Sequence, residues 1–255
     1  MGAPSAVGLA FEGNVAIATL GRAPVNAIDE AWLESLELAL ERAEHESAAV
    51  LLLRSSVRAF CAGADLALMR SRFDHAAGRD KMVAFVRELQ RVYDRLERLP
   101  LATIAEIGGP AMGGGLELAL ACDLRIAAGE ASLGLPEARL GLLPGAGGTQ
   151  RLTRIAGEAT AKRLILCGEV VSGTEAAALG IVQWSVPVAE LAGRARALAL
   201  ALAEIPAPAL AACKRCIDAP LSGMDGYKAE VHGTAELLAR EQTQQRVRAF
   251  LDKRR

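Results

Sequence analysis

The stretch at residues 103–128, TIAEIGGPAMGGGLELALACDLRIAA, constrains the chain most. An apolar run of strand length is followed by two glycines and a proline, then by three consecutive glycines and a helix-like segment that contains Glu117. A buried carboxylate without partners is costly, so its pKa rises or it finds a partner. Adjacent glycines let backbone N–H groups approach a ligand, and a helix N-terminus directs its dipole at the same place. The stretch therefore predicts an oxyanion-binding turn beside a candidate acid or base, as an enzyme acting next to a carbonyl requires.

Each of these features also has a plain structural interpretation. The triple glycine at residues 113–115 can serve only for close strand–helix packing. Glu117 can pair with a buried arginine such as Arg125 or Arg151. A second carboxylate, Glu137, directly follows a proline and can be a first-turn residue of a short helix. Neither a G-x-x-x-x-G-K-[ST] loop nor a G-x-G-x-x-G turn that opens a helix is present, which disfavours nucleotide binding.

The hydrophobic periodicity predicts a mixed α/β core followed by a helical C-terminal region. Beyond about residue 132 nearly all windows are helical in pattern. Gly and Pro clusters mark the breaks between these segments. The expected elements are a β-hairpin at 7–20, a helix capped by Asp29 and ending near 46, a strand at 50–53, a helix at 80–99, strands at 103–107 and 124–127, a helical turn at 136–140 and a helix from 149 onward.

Composition and charge disfavour several classes of protein. With 29 basic and 30 acidic residues the net charge is −1, so no global field attracts nucleic acid or anionic lipid. Charged residues interrupt every apolar run before it reaches the roughly 18 residues of a membrane span. The N-terminus has no basic segment followed by an apolar core, and the five cysteines are irregularly spaced, which suits a reducing compartment. These features predict a cytoplasmic protein with no membrane partner.

One cysteine pair, Cys213 and Cys216, has C-x-x-C spacing. No second pair of this kind exists, and the three histidines have no ligand spacing to it. The pair lies in a helical pattern at residues 207–218, so we interpret it as two small residues that pack on one helix face. No metal site is predicted.

Five motif segments are spread along the chain: APVNAI (residues 23–28), AFCAGADL (59–66), GGPAMGGGLELALACDLRIA (108–127), LGLPEARLGLLPGAGGTQRL (133–152) and AKRLILCGEVVSGTEAAALGIV (161–182). In this order they closely resemble the enoyl-CoA hydratase/isomerase (crotonase) family. The resemblance covers nearly the whole chain, from about residue 7 to residue 251. Agreement of several motifs in family order is far more specific than one short pattern.

The resemblance implies an α/β fold of a particular kind, a crotonase-like spiral of ββα units. It also implies a helical C-terminal region through which chains form homotrimers, which often pair into homohexamers. We accordingly assign residues 1–200 to the α/β spiral core and residues 201–255 to the C-terminal helical region. The implied substrate is an acyl-CoA thioester, so coenzyme A is part of the substrate and no separate cofactor is expected.

Four residues acquire chemical roles through the resemblance. In the family, two backbone N–H groups hold the thioester oxygen in an oxyanion hole, and the matching groups here belong to Ala64 and Gly114. Hydratases of the family carry glutamates at the positions of Glu117 and Glu137. Glu117 is implied to act as base on the water that attacks the β-carbon, and Glu137 to give a proton to the α-carbon. Two carboxyl groups in one apolar pocket push their pKa values apart, so one can be protonated while the other is ionised.

Further residues match the segments that bind the substrate in the family. Asp65 has a second interpretation, as the N-cap of the next helix. Two positions depart from the family pattern: Gly109 stands where many members have Asn, and Leu135 stands where short-chain hydratases often have Gln, which bears on the acyl pocket. The substrate-binding positions are Ala23, Val25, Ala62, Ala64, Asp65, Leu66, Gly113, Gly114 and Pro136.

We therefore expect an enoyl-CoA hydratase, which adds water syn across the double bond of a trans-2-enoyl-CoA. One alternative is an enoyl-CoA isomerase, and another is a hydratase for a branched dicarboxylic substrate such as methylglutaconyl-CoA. An alternative of another class is a non-catalytic or RNA-binding protein on the same fold. The presence of both glutamates and of two glycine-bearing turns, at residues 62–65 and 113–115, disfavours that alternative, and a net charge of −1 does not predict RNA affinity.

Overall fold

The computed structural model describes residues 6–73 and 76–252 of the chain. Nine strands lie within these ranges and divide into a six-stranded and a three-stranded sheet. The strands are β1 (Val7–Glu12), β2 (Val15–Leu20), β3 (Val50–Ser55), β4 (Ala102–Ile107), β5 (Ala111–Met112), β6 (Leu124–Ala128), β7 (Ser132–Gly134), β8 (Val170–Ser172) and β9 (Trp184–Val186).

The described ranges also contain ten α-helices and two short 3-10 helices. The α-helices are α1 (Glu30–His45), α2 (Leu66–Phe73), α3 (Ala76–Arg98), α4 (Gly114–Leu120), α5 (Gly148–Leu166), α6 (Gly173–Ala178), α7 (Val188–Ala203), α8 (Ala207–Asp218), α9 (Gly226–Leu238) and α10 (Glu241–Asp252). The 3-10 helices are Pro136–Leu140 and Ala219–Ser222.

The larger sheet has the strand order β1-β2-β3-β4-β6-β9. Strands β1 and β2 form the predicted hairpin, with Val7 opposite Leu20 and Glu12 opposite Val15. From β2 onward every neighbouring pair is parallel, so the connections cross over the faces of the sheet. The carboxyl ends of β3 and β4 therefore lie at the same edge, and both predicted glycine turns follow these ends.

Helix α1 is built as its sequence pattern predicts. The Asp29 carboxylate accepts a hydrogen bond of 2.8 Å from the N–H of Trp32 and so caps the helix. Trp32, Leu36, Leu40 and Ala43 are all buried, which shows that the apolar stripe faces the core. Burial of each large apolar side chain stabilises the fold by about 1.5–3 kcal/mol.

The smaller sheet positions the segment that carries Glu137. Strand β7 pairs in parallel with β5 and antiparallel with β8. Its last residue, Gly134, accepts a hydrogen bond of 2.9 Å from the N–H of Gly113. This bond places Gly134 beside the triple glycine, and the 3-10 helix Pro136–Leu140 begins two residues after Gly134. The helix therefore lies near the triple glycine, although it follows that turn by more than twenty residues in the chain.

Two expectations about the secondary structure are corrected. A nearly all-helical region beyond residue 132 is wrong, because β7, β8 and β9 lie there and β9 extends the larger sheet beside β6. Each of these strands has three residues, too few to show an alternating pattern. The helix expected from residue 80 begins earlier, at Ala76.

The C-terminal helices α8, α9 and α10 follow α7, which packs on the sheet through Leu191, Ala195 and Ala199. The predicted boundary at residue 200 falls inside α7, and the division into two regions stays a prediction. Helix α8 has the bounds expected from the sequence. Within it, Cys216 is half-buried whereas Cys213 is exposed, so the expectation that both pack on one face is wrong for Cys213.

Candidate active site

The loop after β3 lies against the N-terminal end of α4. Gly63 has a φ of 88°, which residues with a side chain rarely adopt. A Cβ added to Gly63 would lie 2.9 Å from the carbonyl oxygen of Met112 and 3.2 Å from the nitrogen of Gly114. An isolated parallel bridge between Ile28 and Ala64 holds the loop in this position. The two glycine turns recognised in the sequence are therefore in direct contact.

The N–H groups of Ala64 and Gly114 are close together and uncommitted. A Cβ added to Gly114 would lie 3.9 Å from the Ala64 nitrogen. Neither N–H donates to another oxygen within residues 6–73 and 76–252, and Gly114, as the first residue of α4, has no intrahelical acceptor. The hydroxyl of the buried Tyr93 donates a hydrogen bond of 2.9 Å to the carbonyl oxygen of Gly114 and fixes this residue. Both N–H groups are thus free for the oxygen of a ligand.

Glu117 lies one turn into α4 and is 2% exposed. Its Oε1 accepts hydrogen bonds from the N–H groups of Ala146 (2.8 Å) and Gly148 (2.7 Å). Burial raises the pKa of the carboxyl to about 7; the nearby Glu137 acts in the same direction, and the N–H of Gly148 opposes both. A carboxyl group with a pKa near neutrality can both accept and give a proton, as general acid–base catalysis requires.

The ion pair considered for Glu117 from the sequence is not formed. Among the described residues, Arg125 donates from Nε to the carbonyl oxygen of Ile181, and Arg151 pairs with Glu97. Glu117 is instead held by main-chain N–H groups. Both donors bind Oε1, so Oε2 of Glu117 is not used by them. The carboxyl can therefore anchor this loop and still take part in proton transfer.

Glu137 lies in the first turn of the 3-10 helix Pro136–Leu140, as predicted. A Cβ added to Gly113 would lie 2.9 Å from Oε1 of Glu137, so the carboxyl rests against the triple glycine. Its Oε2 is buried without a hydrogen-bond partner among the residues that the structure describes. Burial raises the pKa of this carboxyl as well. A buried oxygen without a protein partner is suited to a ligand or a water molecule.

The segments predicted to bind the rest of a substrate run side by side. The N–H of Ala62 donates a hydrogen bond of 3.0 Å to the carbonyl oxygen of Val25. Ala23, Ala62 and Leu66 are exposed, and Val25 is half-buried. The two segments therefore offer an open edge next to the turn that carries Ala64.

The N-cap interpretation of Asp65 is confirmed. Its Oδ1 accepts hydrogen bonds from the N–H groups of Ala67 (2.8 Å) and Leu68 (3.1 Å) at the start of α2. Leu135, whose identity departs from the family pattern, is fully buried in the core.

Three contributions to the site were not predicted from the sequence. Asn26 is buried with a φ of 53°, and its amide donates to the carbonyl oxygen of Phe60, which anchors the loop before Gly63. Tyr93 supports the carbonyl of Gly114 from α3. The glycine loop at residues 144–148 supplies both donors to Glu117. Asn26 and the glycine loop were visible as parts of the motifs at residues 23–28 and 133–152, whereas nothing local marks Tyr93.

A cavity of about 830 Å³ lies between α3, the start of α5 and α8. Its lining includes Ala146 and Gly147 but neither the two glutamates nor the two uncommitted N–H donors. The groups that acid–base and oxyanion chemistry require therefore lie outside this cavity.

Neither a metal cluster nor a membrane-spanning helix is found in the described part of the chain. Within it, no three His, Cys, Asp or Glu side chains are grouped so that they could hold a metal ion. Over the same residues no single helix is long and apolar enough to cross a membrane, and one pair of segments, Val188–Ala203 and Ala207–Leu221, passes that test together but is bent by 100°. The absence of a cofactor stays a prediction.

Known proteins are similar to this chain over almost its entire length. The sequence profile of the enoyl-CoA hydratase/isomerase family matches residues 10–255. A probable enoyl-CoA hydratase of Bacillus subtilis is 37% identical over 255 residues, which cover 98% of this chain and 97% of that protein. The mitochondrial methylglutaconyl-CoA hydratase of Mus musculus is 42% identical over 159 residues, 62% of this chain and 49% of that protein. The crystal structure of an enoyl-CoA hydratase from Bacillus anthracis aligns with a TM-score of 0.89 at 34% identity, covering 97% of this chain and 96% of the other.

A mixed α/β fold that places one buried and one half-buried carboxyl group beside paired N–H donors is typical of an enzyme class that works next to a carbonyl. Within that class, the chain belongs to the enoyl-CoA hydratase/isomerase family. The family acts on acyl-CoA thioesters, which carry the required carbonyl.

Proposed function

We propose that this chain is an enoyl-CoA hydratase. It adds water across the C2–C3 double bond of a trans-2-enoyl-CoA and reversibly gives a 3-hydroxyacyl-CoA, a step in the degradation of fatty acids or related acyl-CoA compounds. One observation carries the proposal: the buried Glu117 and the half-buried Glu137, whose Oε2 is inaccessible to solvent, lie beside the uncommitted N–H groups of Ala64 and Gly114. The family membership supports the thioester as substrate.

The N–H groups of Ala64 and Gly114 polarise the thioester. When the water oxygen attacks C3, the electron pair of the double bond shifts and the thioester oxygen becomes the negative oxygen of an enolate. Donors that are already in place stabilise this charge without reorganisation, each by about 2.7–4 kcal/mol in comparable oxyanion holes. The Tyr93 hydroxyl keeps Gly114 in position while the charge develops.

The two glutamates move the protons. Glu117 takes one proton from the water as the new O–C3 bond forms, and Glu137 gives its proton to C2 as the enolate collapses. The net change is the addition of OH to C3 and H to C2. Exchange with solvent returns the proton from Glu117 to Glu137 and restores the starting state.

The pair must hold one proton in total for this cycle. Burial raises both pKa values, that of Glu117 to about 7, and the two groups titrate as a coupled pair. We expect a bell-shaped dependence of kcat/KM on pH. The rate falls at low pH because both carboxyls are protonated and no base remains. It falls above about pH 7 because both are ionised and no acid remains.

The coenzyme A part of the substrate is proposed to lie along the open edge formed by the segments around Ala23, Val25, Ala62 and Leu66. The backbone of Asp65 lies in the same turn, while its carboxylate is used as a helix cap. The acyl part then extends past Gly113, Gly114 and Pro136 between the two glutamates. This placement follows from the position of Ala64, since the thioester links the two parts of the substrate.

The C-terminal region, residues 201–255, is proposed to associate into homotrimers or homohexamers. Helices α8 to α10 and the 3-10 helix between α8 and α9 expose large apolar side chains that water disfavours. Light scattering coupled to size exclusion tests the oligomer, and a monomer would contradict it. The exposed side chains are Ile217, Leu221, Tyr227, Val231, Leu238, Val247, Phe250 and Leu251, together with Met224 just before α9.

The function is tested by the loss of conjugated enoyl-thioester absorbance when the purified protein meets trans-2-enoyl-CoA substrates of increasing chain length. We expect rapid loss with at least one length. Glu137→Gln and Glu117→Gln should each abolish it, because each change removes one of the two proton carriers and leaves the side-chain shape. Glu175→Gln, in the exposed capping box of α6, is the matched control and should keep full activity.

Two alternatives are distinguished by the same protein samples. An isomerase would convert a 3-enoyl-CoA to its 2-enoyl isomer and tolerate Glu117→Gln. The similarity to a methylglutaconyl-CoA hydratase makes 3-methylglutaconyl-CoA the second hydration substrate to offer. Failure of every enoyl-CoA in both assays would contradict the proposed function. The cytoplasmic location stays a prediction.

A further inference from the structure

The loop at residues 144–148 decides how Glu117 is held. Both hydrogen bonds to the Glu117 carboxyl come from this loop, through the N–H groups of Ala146 and Gly148. Loops are mobile unless other contacts fix them. A side chain that fixes this loop would therefore also fix the carboxyl group, without touching the substrate.

Arg151 makes that contact. It lies in the first turn of α5 and is 6% exposed. Its side chain folds back along its own helix, and Nη1 donates a hydrogen bond of 2.8 Å to the carbonyl oxygen of Ala146. The guanidinium packs on the main chain of Gly147, where an added Cβ would overlap Nη1. Ala146 thus accepts from Arg151 through its carbonyl and donates to Glu117 through its N–H.

Glu97, on α3, braces the guanidinium from the other side. Its Oε2 lies 2.8 Å from both Nε and Nη2 of Arg151, and its Oε1 pairs with Arg154. Burial of such an ion pair costs desolvation energy that apolar side chains would avoid, so the pair is weak evidence for stability. A role in fixing the conformation of the loop better explains why the Arg151–Glu97 pair lies against it.

We propose that Arg151 is a positioning residue: braced by Glu97, it holds the carbonyl of Ala146 so that the N–H groups of the loop converge on Glu117. The proposal rests on the hydratase function proposed above. It adds to that function a residue that contacts neither the substrate nor a reacting atom.

Removal of Arg151 should change the protonation of Glu117. The charged or titratable groups that face this carboxyl are Glu137 from the 3-10 helix, Tyr93 from α3 and Arg151 from α5. Loss of the Arg151 charge and loosening of the N–H donors both disfavour the ionised carboxylate. Its pKa should therefore rise above about 7. The shared proton then rests more on Glu117 and less on Glu137, which leaves fewer molecules in the reactive state.

The test compares Arg151→Met with Arg154→Met. Both variants take one arginine from Glu97, but only Arg151 contacts Ala146, so Arg154→Met is the matched control. For Arg151→Met we expect kcat to fall by about 10²-fold with KM unchanged, as for misplacement of a catalytic group. The descending limb of the pH profile should move to higher pH. Arg154→Met should leave both the rate and the profile unchanged.

A second readout needs no turnover. Infrared difference spectra between each protein and its Glu117→Gln counterpart isolate the titration of this carboxyl. We expect a higher titration midpoint for Arg151→Met, and a partial return toward wild type for Arg151→Lys, since one ammonium can reach only part of the contacts. This measurement is independent of activity. If the protein hydrated no enoyl-CoA, the proposed function would be refuted, but the titration of Glu117 would still test the role of Arg151.

The outcomes separate positioning from general stabilisation. Equal midpoints and equal pH profiles for Arg151→Met and Arg154→Met would overturn the proposal, and so would a loss confined to KM. Should Arg151→Met not fold, Glu97→Gln keeps the guanidinium and weakens its brace. That variant should raise the midpoint by a smaller amount, and an unchanged midpoint would overturn the proposal.

Discussion

Proline at position 114 removes one proposed oxyanion donor, the N–H of Gly114. Gly114 is the first residue of α4, where proline is tolerated because its missing N–H has no helical acceptor. Its φ is not in the left-handed region, which the proline ring could not adopt. Gly114→Ala is the control, since it keeps the N–H and adds a Cβ at 3.3 Å from the end of the flexible Ile28 side chain.

The expected loss follows from the chemistry of that one N–H. Removal of one oxyanion donor costs about 2.7–4 kcal/mol, or about 10²–10³ in kcat. The assay is hydration of a trans-2-enoyl-CoA, followed by absorbance, for wild type, Gly114→Ala and Gly114→Pro. Circular dichroism and the thermal midpoint verify that both variants keep the fold. A Gly114→Pro enzyme within about tenfold of Gly114→Ala would refute the assignment of this N–H to the oxyanion hole.

Three further predictions concern the scaffold. Gly115→Ala should lower the free energy of unfolding by about 1–3 kcal/mol, because the new Cβ would overlap the carbonyl of Cys61. Urea titrations measure this change, and an unchanged free energy would mean that α4 can move away from Cys61. Burial raises the pKa of Glu106, so the stability that its protonated form contributes is lost as pH rises through that pKa. The difference in unfolding free energy between Glu106→Gln and wild type should therefore shift in favour of the variant from pH 4 to pH 8, and a constant difference would contradict this. Asp29→Ala should lower the free energy of unfolding by about 0.5–2 kcal/mol, because the hydrogen bond that caps the N–H of Trp32 is lost. Thermal unfolding measures this loss, and Asp29→Asn should recover most of it.

The sequence predicted the elements whose signals are local. The stripe of α1 and its cap at Asp29 were visible because apolar spacing and capping act over a few residues. The same holds for the 3-10 helix Pro136–Leu140, which follows a proline. Strands β7, β8 and β9 were missed because three residues show no period, and their pairing with distant strands decides their conformation.

The candidate site divides in the same way. The burial of Glu117 and the two glycine turns followed from apolar spacing and glycine content, and the resemblance to a family supplied the roles of Ala64 and Gly114. The partner of Glu117 was wrongly sought among arginines. Its donors lie in a loop about thirty residues away, and no local pattern indicates which of many N–H groups will reach a buried carboxyl.

The position of a bound thioester tests the account most directly. A crystal structure with a 3-oxoacyl-CoA, which has no C2–C3 double bond to hydrate, would place the thioester oxygen relative to the proposed donors. We predict that this oxygen lies about 2.7–3.2 Å from the nitrogens of both Ala64 and Gly114. The carboxyl groups of Glu117 and Glu137 should lie over the same face of the C2–C3 bond. A thioester oxygen bound elsewhere, or carboxyl groups on opposite faces, would contradict the proposed hydration mechanism.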